Sequence, residues 1–206
     1  PALAEALRSC ELVTADGQPV VWAARLSGHR VPERVAGIDL MEALLARAEL
    51  RGYRVFLFGG KPNVLELAVE AVRARHPRLI VAGAQHGYYD RGREAETVAR
   101  IASSRPDIVL VALGTPEKEI FQAAHGDALG ASFVMGVGGA FEILAGVRRR
   151  APGWARVGGL EWLFRLAQDP RRLLGRYAVG NAIFLGLAAR EVVRVRLSRI
   201  ASGMRP

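Results

Sequence analysis

Four short runs of apolar residues recur in the first two thirds of the chain, at 55–58, 79–81, 108–113 and 132–135, and each ends in a glycine-rich turn. They show little polar alternation, which is typical of strands that are buried on both faces of a parallel sheet. A further short strand is predicted at 11–14, just before another glycine. The pattern therefore predicts a sheet whose strands lie mostly in the interior.

Between these runs, apolar residues recur at helical spacing at 38–51, 63–75 and 93–104. Alternating strands and helices predict an α/β fold with a mostly parallel sheet and helices on both faces. Right-handed crossovers bring the glycine-rich turns to one edge of the sheet, at the carboxyl ends of the strands. Ligands of such sheets bind at that edge.

The pattern changes after about Gly146, where no further strand is predicted and helices are expected at 158–168, 171–177 and 179–202. The charge changes at the same place. Residues 1–146 carry 16 basic and 17 acidic residues, whereas residues 147–206 carry 13 arginines and three acidic residues. We therefore divide the chain into an α/β body, 1–146, and a basic helical appendage, 147–206.

The appendage has a net charge of +10, which is 13 minus 3, and this indicates an anionic partner such as nucleic acid, an anionic membrane or a polyphosphate. The alternative is a solvated helical face or a general arginine bias. The last predicted helix mixes apolar residues with arginines, which suits a membrane surface and equally a helix docked on the body. No apolar run reaches the ~20 residues that span a bilayer.

Several kinds of chemistry are disfavoured by missing residues. Cys10 is the only cysteine, so the chain has no intrachain disulfide and no two-cysteine metal site. The histidines lack metal-ligand spacing, and neither a Walker loop nor an Asp-x-Asp pair occurs. A site that handles a diphosphate here would have to neutralise it with arginine, lysine or backbone dipoles.

Three features could form a site at the predicted edge. Asp16 could act as a general base toward a hydroxyl, or it could cap the helix that begins near Gln18. Arg34 could bind an anion or pair with a surface carboxylate. The glycine-rich turn at 136–141 could cradle a phosphate or simply join a strand to a helix. In the appendage, Trp162 suits helix packing more than a binding platform.

The order and spacing of these short motifs resemble the WecG/TagA/CpsF family of bacterial glycosyltransferases. No single motif is decisive, but together they cover most of the chain. The matching segments are 15–17, 33–40, 56–60, 87–89, 114–116, 136–141, 150–152, 159–166 and 170–172.

The resemblance implies a Rossmann-like enzyme that transfers an N-acetylmannosamine-type sugar from a UDP-sugar to a polyprenyl-diphosphate-linked acceptor. Transfer would proceed with inversion and without a metal or other cofactor, in the synthesis of cell-surface polysaccharide or teichoic acid. The implied location is cytoplasmic, peripheral on the inner face of the cytoplasmic membrane. The expected partners are the donor, the acceptor and an anionic membrane surface, with a homo-oligomer as an open alternative; nucleic acid is not expected.

Matching the motifs residue by residue assigns Asp16 as the catalytic base. Lys118 stands where the family usually has glutamine, and its ammonium could contact a phosphate. The resemblance also implies that an N-terminal segment of the family precedes the first residue of this chain. The substrate-binding residues implied by the resemblance are Arg34, Gly114, Lys118, Glu119, Gly136, Gly138, Gly139, Arg165, Arg172 and Arg176.

Two other functions stay open on the residues alone. The glycine-rich turns also permit another Rossmann nucleotide-binding enzyme such as an oxidoreductase, although no complete GxGxxG is present. The basic appendage also permits a non-catalytic module that binds lipid or nucleic acid.

Overall fold

The chain forms two units that are interleaved in the sequence. The structure, a computed structural model, describes residues 2–157 and 159–201, without the side chains at 157, 165, 172, 176, 196 and 198–201. The described residues of Pro1–Val13 and Gly37–Arg149 form the first unit, and those of Thr14–Ala36 and Arg150–Pro206 form the second. The predicted domains 1–146 and 147–206 stay a prediction.

The first unit contains all four strands of the described chain. The strands are β1 (Arg54–Gly59), β2 (Ile80–Gln85), β3 (Ile108–Ala112) and β4 (Phe133–Gly136). The helices of this unit are α1 (Ala2–Ser9), α3 (Gly37–Arg51), α4 (Pro62–Arg75), α5 (Glu94–Ser103), α6 (Glu117–His125) and α7 (Ala140–Leu144).

The strands form one parallel sheet in the order β2-β1-β3-β4. This confirms the predicted α/β fold, and each of the four apolar runs in the body forms a strand. The chain leaves β1 toward β2 on one side and later returns to place β3 on the other side. The order of the strands therefore reverses at β1, and the crevice at such a point is where open α/β sheets bind ligands.

Successive residues of β1 point to opposite faces of the sheet, so both faces are apolar. Phe56 and Phe58 face a core that includes residues of α5 and α6. The intervening residues of β1 are equally buried, and α3 and α4 pack against this strand. Helices on both sides thus explain why the run shows no polar alternation.

The carboxyl edge of the sheet is closely packed around β1. Gly59 has φ of +113°, and a Cβ there would lie 2.5 Å from the backbone of Ala112. The amide of Gly60 donates to the carbonyl of Ala112 at 2.9 Å, and its carbonyl accepts from the amide of Gly87 at 3.0 Å. The turns that follow β1, β2 and β3 are therefore held together by backbone contacts that require glycine.

The second unit is helical in its described part. Its helices are α2 (Gln18–Leu26), α8 (Gly153–Val157), α9 (Glu161–Gln168) and α10 (Pro170–Ala201). Within this unit α10 packs against α2 and α9. None of the helices in the described ranges is both long enough and apolar enough to cross a bilayer.

Two details of the sequence prediction are wrong. Residues 11–14 form no strand, and Leu12 and Val13 are exposed, because no described strand lies beside them to complete a hydrogen-bonded ladder. The helices predicted at 171–177 and from 179 are one continuous helix, α10, in which Gly175 and Gly180 are tolerated. The predicted end of that helix at residue 202 lies outside the described residues, as does Gly158.

Candidate active site

In the first unit, the predicted donor-side residues lie at the carboxyl edge of the sheet. Gly114 follows β3, and a Cβ there would meet no atom within 4 Å. Gly136 ends β4, while Gly138 and Gly139 precede α7. Gly138 has φ of +51° with open space around its missing side chain, so it supplies both a left-handed turn and room for a ligand.

Lys118 and Glu119 form a polar cluster at the start of α6. The ammonium of Lys118 is paired with Glu119 and also donates to Thr115 Oγ1 at 2.7 Å. Both side chains are mostly buried, at 18% and 13% exposure. Lys118 also lies against Gly136, where an added Cβ would be 3.2 Å from its Cε. The structure thus brings Lys118, Glu119 and Gly136 together.

A second polar cluster joins the turn after β2 to α5 and α6. The Tyr89 hydroxyl donates to Glu94 at 2.6 Å, and Nε2 of His125 lies 2.8 Å from the same carboxylate. Burial, reinforced by the hydrogen bond to Glu94, raises the pKa of Tyr89 to about 12. The Tyr89 hydrogen bond in turn holds the pKa of Glu94 below its usual value, with His125 and Arg91 contributing. Tyr89 is therefore a neutral hydrogen-bond donor at physiological pH.

In the second unit, Asp16 and Arg34 line one pocket of about 340 Å³. This volume is near the lower end of ligand-binding pockets, which run from about 300 to 1,000 Å³, and suits a ligand of single-ring size. Apart from those two charged residues and Glu161, the wall is largely apolar or aromatic with a few amides. The remaining lining residues are Gly17, Gln18, Pro19, Gly159, Trp162, Tyr177, Asn181, Phe184 and Leu185.

Arg34 forms an ion pair inside this unit. Its Nη1 donates to Oε2 of Glu161 at 3.0 Å, and the two side chains are only 14% and 18% exposed. Of the two sequence alternatives for Arg34, the structure shows the pairing with a carboxylate, and this carboxylate is mostly buried and lines the pocket. Binding of an anion by Arg34 stays a prediction.

Asp16 lies one residue before the N-cap of α2. That helix begins at Gln18, its N-cap residue is Gly17, and Pro19 occupies its first turn. The amide of Val35 donates to the carbonyl of Ala15 at 3.1 Å, which ties the segment around Asp16 to the one that carries Arg34. This backbone hydrogen bond therefore holds the segment of the predicted base beside the segment of the predicted substrate-binding arginine.

Three predicted arginines cannot be placed as side chains. Arg165 belongs to α9, and Arg172 and Arg176 belong to α10. Their side chains lie outside the described part of the structure, so their proposed contacts stay predictions.

Sequence reasoning did not single out Glu161 as a site residue and interpreted Trp162 as packing. A usable signal was present: Glu161 is one of three acidic residues in a segment with 13 arginines. Trp162 is 40% exposed and contacts Tyr177 edge-on, with ring centroids 6.4 Å apart. Exposed aromatic faces beside carboxylates and an amide such as Asn181 are a combination suited to a sugar ring.

The first unit has a parallel sheet with a glycine-lined carboxyl edge, the architecture of α/β proteins that bind ligands at a switch point. The chain belongs to the glycosyl transferase WecG/TagA/CpsF family, whose model matches residues 1–198. This confirms the resemblance inferred from the motifs and favours it over a dinucleotide-binding oxidoreductase.

Two curated relatives carry the same name, N-acetylglucosaminyldiphosphoundecaprenol N-acetyl-beta-D-mannosaminyltransferase. The Bacillus subtilis (strain 168) protein is 35% identical over 169 residues, which cover 82% of this chain and 65% of the relative. The Bacillus spizizenii protein is 34% identical over 172 residues, covering 84% of this chain and 66% of the relative. The chain thus spans just under two thirds of the length of these relatives.

Proposed function

We propose that this chain transfers an N-acetylmannosamine-type sugar from a UDP-sugar to a sugar linked to a polyprenyl diphosphate. The observation that supports this most is the pocket that holds Asp16 and Arg34 beside an aromatic wall. Its size suits one pyranose ring, and the relatives in the same family are named as transferases that act on a diphosphoundecaprenol-linked N-acetylglucosamine. In this proposal the pocket binds the acceptor sugar.

Asp16 is the general base of the proposed reaction. Its carboxylate takes the proton of the acceptor hydroxyl while that oxygen attacks the anomeric carbon of the donor sugar. The bond from the anomeric carbon to UDP breaks, and the electron pair leaves with the UDP phosphate oxygen. Attack from the face opposite the departing UDP inverts the anomeric centre, so one displacement step gives the product.

The donor is bound, in this proposal, at the carboxyl edge of the sheet. Backbone amides at Gly114 and Gly138 approach the diphosphate because no atom lies within 4 Å of either missing Cβ. Lys118 has three N–H donors, and its contacts to Thr115 and Glu119 use two of them. The third is available for a phosphate oxygen, which gives Lys118 a role compatible with its pairing.

The proposed transfer needs no metal, since cationic side chains neutralise the phosphates instead. The resemblance gives this task to Arg165, Arg172 and Arg176. Membership in the family supports the assignment, and the surplus of arginine in 147–206 is consistent with it. Activity that survives an excess of EDTA is the expected result, and activity restored only by added Mg²⁺ would contradict metal independence.

The enzyme acts, in this proposal, as a peripheral protein on the cytoplasmic face of the membrane. Val179, Ile183 and Leu187 recur every four residues on α10, and each is more than half exposed. Arg190 and Arg194 follow on the same helix. An exposed apolar stripe next to arginines is suited to an anionic lipid surface. Replacing Ile183 and Leu187 by Gln should reduce co-sedimentation with phosphatidylglycerol vesicles.

The direct test measures release of UDP from UDP-N-acetylmannosamine with a short-chain lipid-diphosphate N-acetylglucosamine acceptor. Asp16→Asn should lower kcat by about 10²–10⁴-fold, the usual contribution of a general base, and leave UDP binding unchanged. Asp127→Asn is the matched control, because Asp127 is an exposed carboxylate in the first unit. Equal turnover in Asp16→Asn would remove Asp16 from the mechanism, and no UDP release by the wild type with any UDP-sugar would overturn the function.

A further inference from the structure

We infer that Glu161 is a positioning residue that fixes the guanidinium of Arg34 for the acceptor, an inference that rests on the function proposed above. The two residues are 127 positions apart in the sequence and form a direct 3.0 Å hydrogen-bonded ion pair. Both line the pocket that contains Asp16. The pair is thus part of the site, although of the two residues only Arg34 was assigned to substrate binding from the sequence.

The Arg34–Glu161 ion pair is shielded enough from solvent for its geometry to influence the strength of the interaction. Exposed ion pairs contribute little to stability, because water and salt screen the two charges and because holding two long side chains in one geometry costs conformational entropy. With 14% and 18% exposure, Arg34 and Glu161 are screened much less. Replacing Glu161 by a neutral residue would take from the mostly buried Arg34 the carboxylate that it pairs with, which is unfavourable. The guanidinium would then turn toward water or toward another carboxylate.

Arginine suits this arrangement because its five N–H donors lie in one rigid plane. The contact with Glu161 uses Nη1. Once the Nη1 group is held by Glu161, the planar guanidinium also sets the directions of its remaining N–H donors. A rigid fork on the pocket wall can therefore recognise an anionic or hydroxyl oxygen of the acceptor without first losing side-chain entropy.

Glu161 is itself presented from a well-defined backbone. It is the first residue of α9, where the helix dipole favours a negative charge. The preceding Gly159 is buried with φ of +70°, and a Cβ there would lie 3.3 Å from Gln18 and from Trp22 of α2. The amide of Leu160 donates to the carbonyl of Ala155 at 2.7 Å. These contacts set where α9 begins and hence where the carboxylate points.

The experiment compares Glu161→Gln, Glu161→Asp, Arg34→Ala and the double variant Glu161→Gln with Arg34→Ala. It measures KM for the lipid-diphosphate acceptor, KM for the UDP-sugar, and binding of the acceptor by calorimetry. We expect Glu161→Gln to raise the acceptor KM and Kd about ten- to a hundredfold, as for loss of a charged hydrogen bond, with an unchanged donor KM. Glu161→Asp, which keeps the charge, should recover part of this loss.

The double variant separates positioning from mere stability. If Glu161 acts through Arg34, its substitution has no further effect once Arg34 is alanine. Glu96→Gln is the matched control, because Glu96 also pairs with an arginine, Arg93, but is 58% exposed and has no part in the proposed site. That variant should keep wild-type constants.

Three outcomes would overturn the inference: an unchanged acceptor KM in Glu161→Gln, an equal loss for donor and acceptor, or a loss that persists in the Arg34→Ala background. Failure of the proposed function looks different, since the wild type would then neither release UDP nor bind the acceptor. A melting temperature for each variant distinguishes a folded protein with weak acceptor binding from an unfolded one.

Discussion

The two units of the molecule are held together by different means. In the first unit, β1 and β3 are buried along almost their whole length, and helices cover both faces of the sheet. Among the described residues of the second unit, the buried hydrophobic side chains are Val21, Ala36, Ala151, Ala155 and Leu173, three of them alanines. Burial of apolar surface therefore dominates the first unit and contributes much less to the second.

The second unit instead uses specific contacts. A buried glycine turn at Gly159 and the Arg34–Glu161 pair define its geometry, while many apolar residues of α10 stay exposed. The comparison teaches that the sheet unit and the unit proposed to bind the acceptor are held together by different interactions. The predictions below test this contrast, from the largest effect to the smallest.

Phe58→Ala should have the largest effect on stability. Phe58 is fully buried, with ring centroids 4.9 Å from Phe121 and 5.7 Å from Tyr89. Truncating such a residue costs about 3–5 kcal/mol of unfolding free energy, through lost burial and the cavity that remains. Urea denaturation measures this loss. Leu50→Ala is the control, since Leu50 is 72% exposed and should change stability by less than about 0.5 kcal/mol.

Gly59→Ala should destabilise the first unit by about 2–3 kcal/mol, because strained backbone conformations cost this much and the added Cβ would also overlap the backbone of Ala112. Gly37→Ala is the matched control, since its Cβ would meet nothing within 4 Å at the start of α3. Thermal melting of the two variants should show a large drop for the first and little change for the second. Equal melting temperatures would contradict the close packing around β1.

Trp162→Ala should weaken acceptor binding by about tenfold, since an aromatic contact contributes about 0.5–1.5 kcal/mol beyond its buried area. Trp154→Ala is the control: Trp154 is in the same unit, is 70% exposed and does not line the pocket. Calorimetry with the short-chain acceptor compares them. If both variants bind as well as the wild type, the aromatic wall has no role in recognition.

Tyr89→Phe should have the smallest effect, about 0.5–1 kcal/mol, and the effect should depend on pH. The pKa of Glu94 is lowered in the folded state, chiefly by the Tyr89 hydroxyl. A carboxyl group whose pKa is lowered on folding stabilises the folded state at pH values above its ordinary pKa of 4.5. This stabilisation is lost as the pH falls through the lowered pKa of the folded state.

The difference between wild type and Tyr89→Phe in urea denaturation should therefore be larger at pH 7 than at pH 3. Tyr88→Phe, at a 65% exposed position, serves as the control and should behave as wild type at both pH values. A pH-independent difference would show that the lost hydroxyl acts through packing and not through Glu94.

Most of the first unit could be predicted from the sequence because its elements are determined by local pattern. Apolar runs without alternation mark buried strands, and helical spacing marks the helices between them. The segment 11–14 has the same local pattern, yet it forms no strand. Strand formation needs a hydrogen-bonded neighbour, and a local pattern does not say whether one is present.

The site was predictable only in part. Asp16 and Arg34 stand out through the motifs in which they occur, and the structure places them on one pocket. Glu161 also lies in a motif, 159–166, but its importance comes from a contact with a residue 127 positions earlier. Such contacts follow from the tertiary fold, and neither composition nor periodicity encodes them.

The interleaving of the units has a consequence for synthesis on the ribosome. Asp16 and Arg34 emerge early, but the residue that pairs with Arg34 is made only after the whole Gly37–Arg149 segment has been translated. Domains tend to fold as units while the chain is still growing. The sheet can thus be finished first, and the pocket is completed only after the residues of α10 that line it, up to Leu185, have been made. A chain that ends before α10 would therefore lack part of the wall of this pocket.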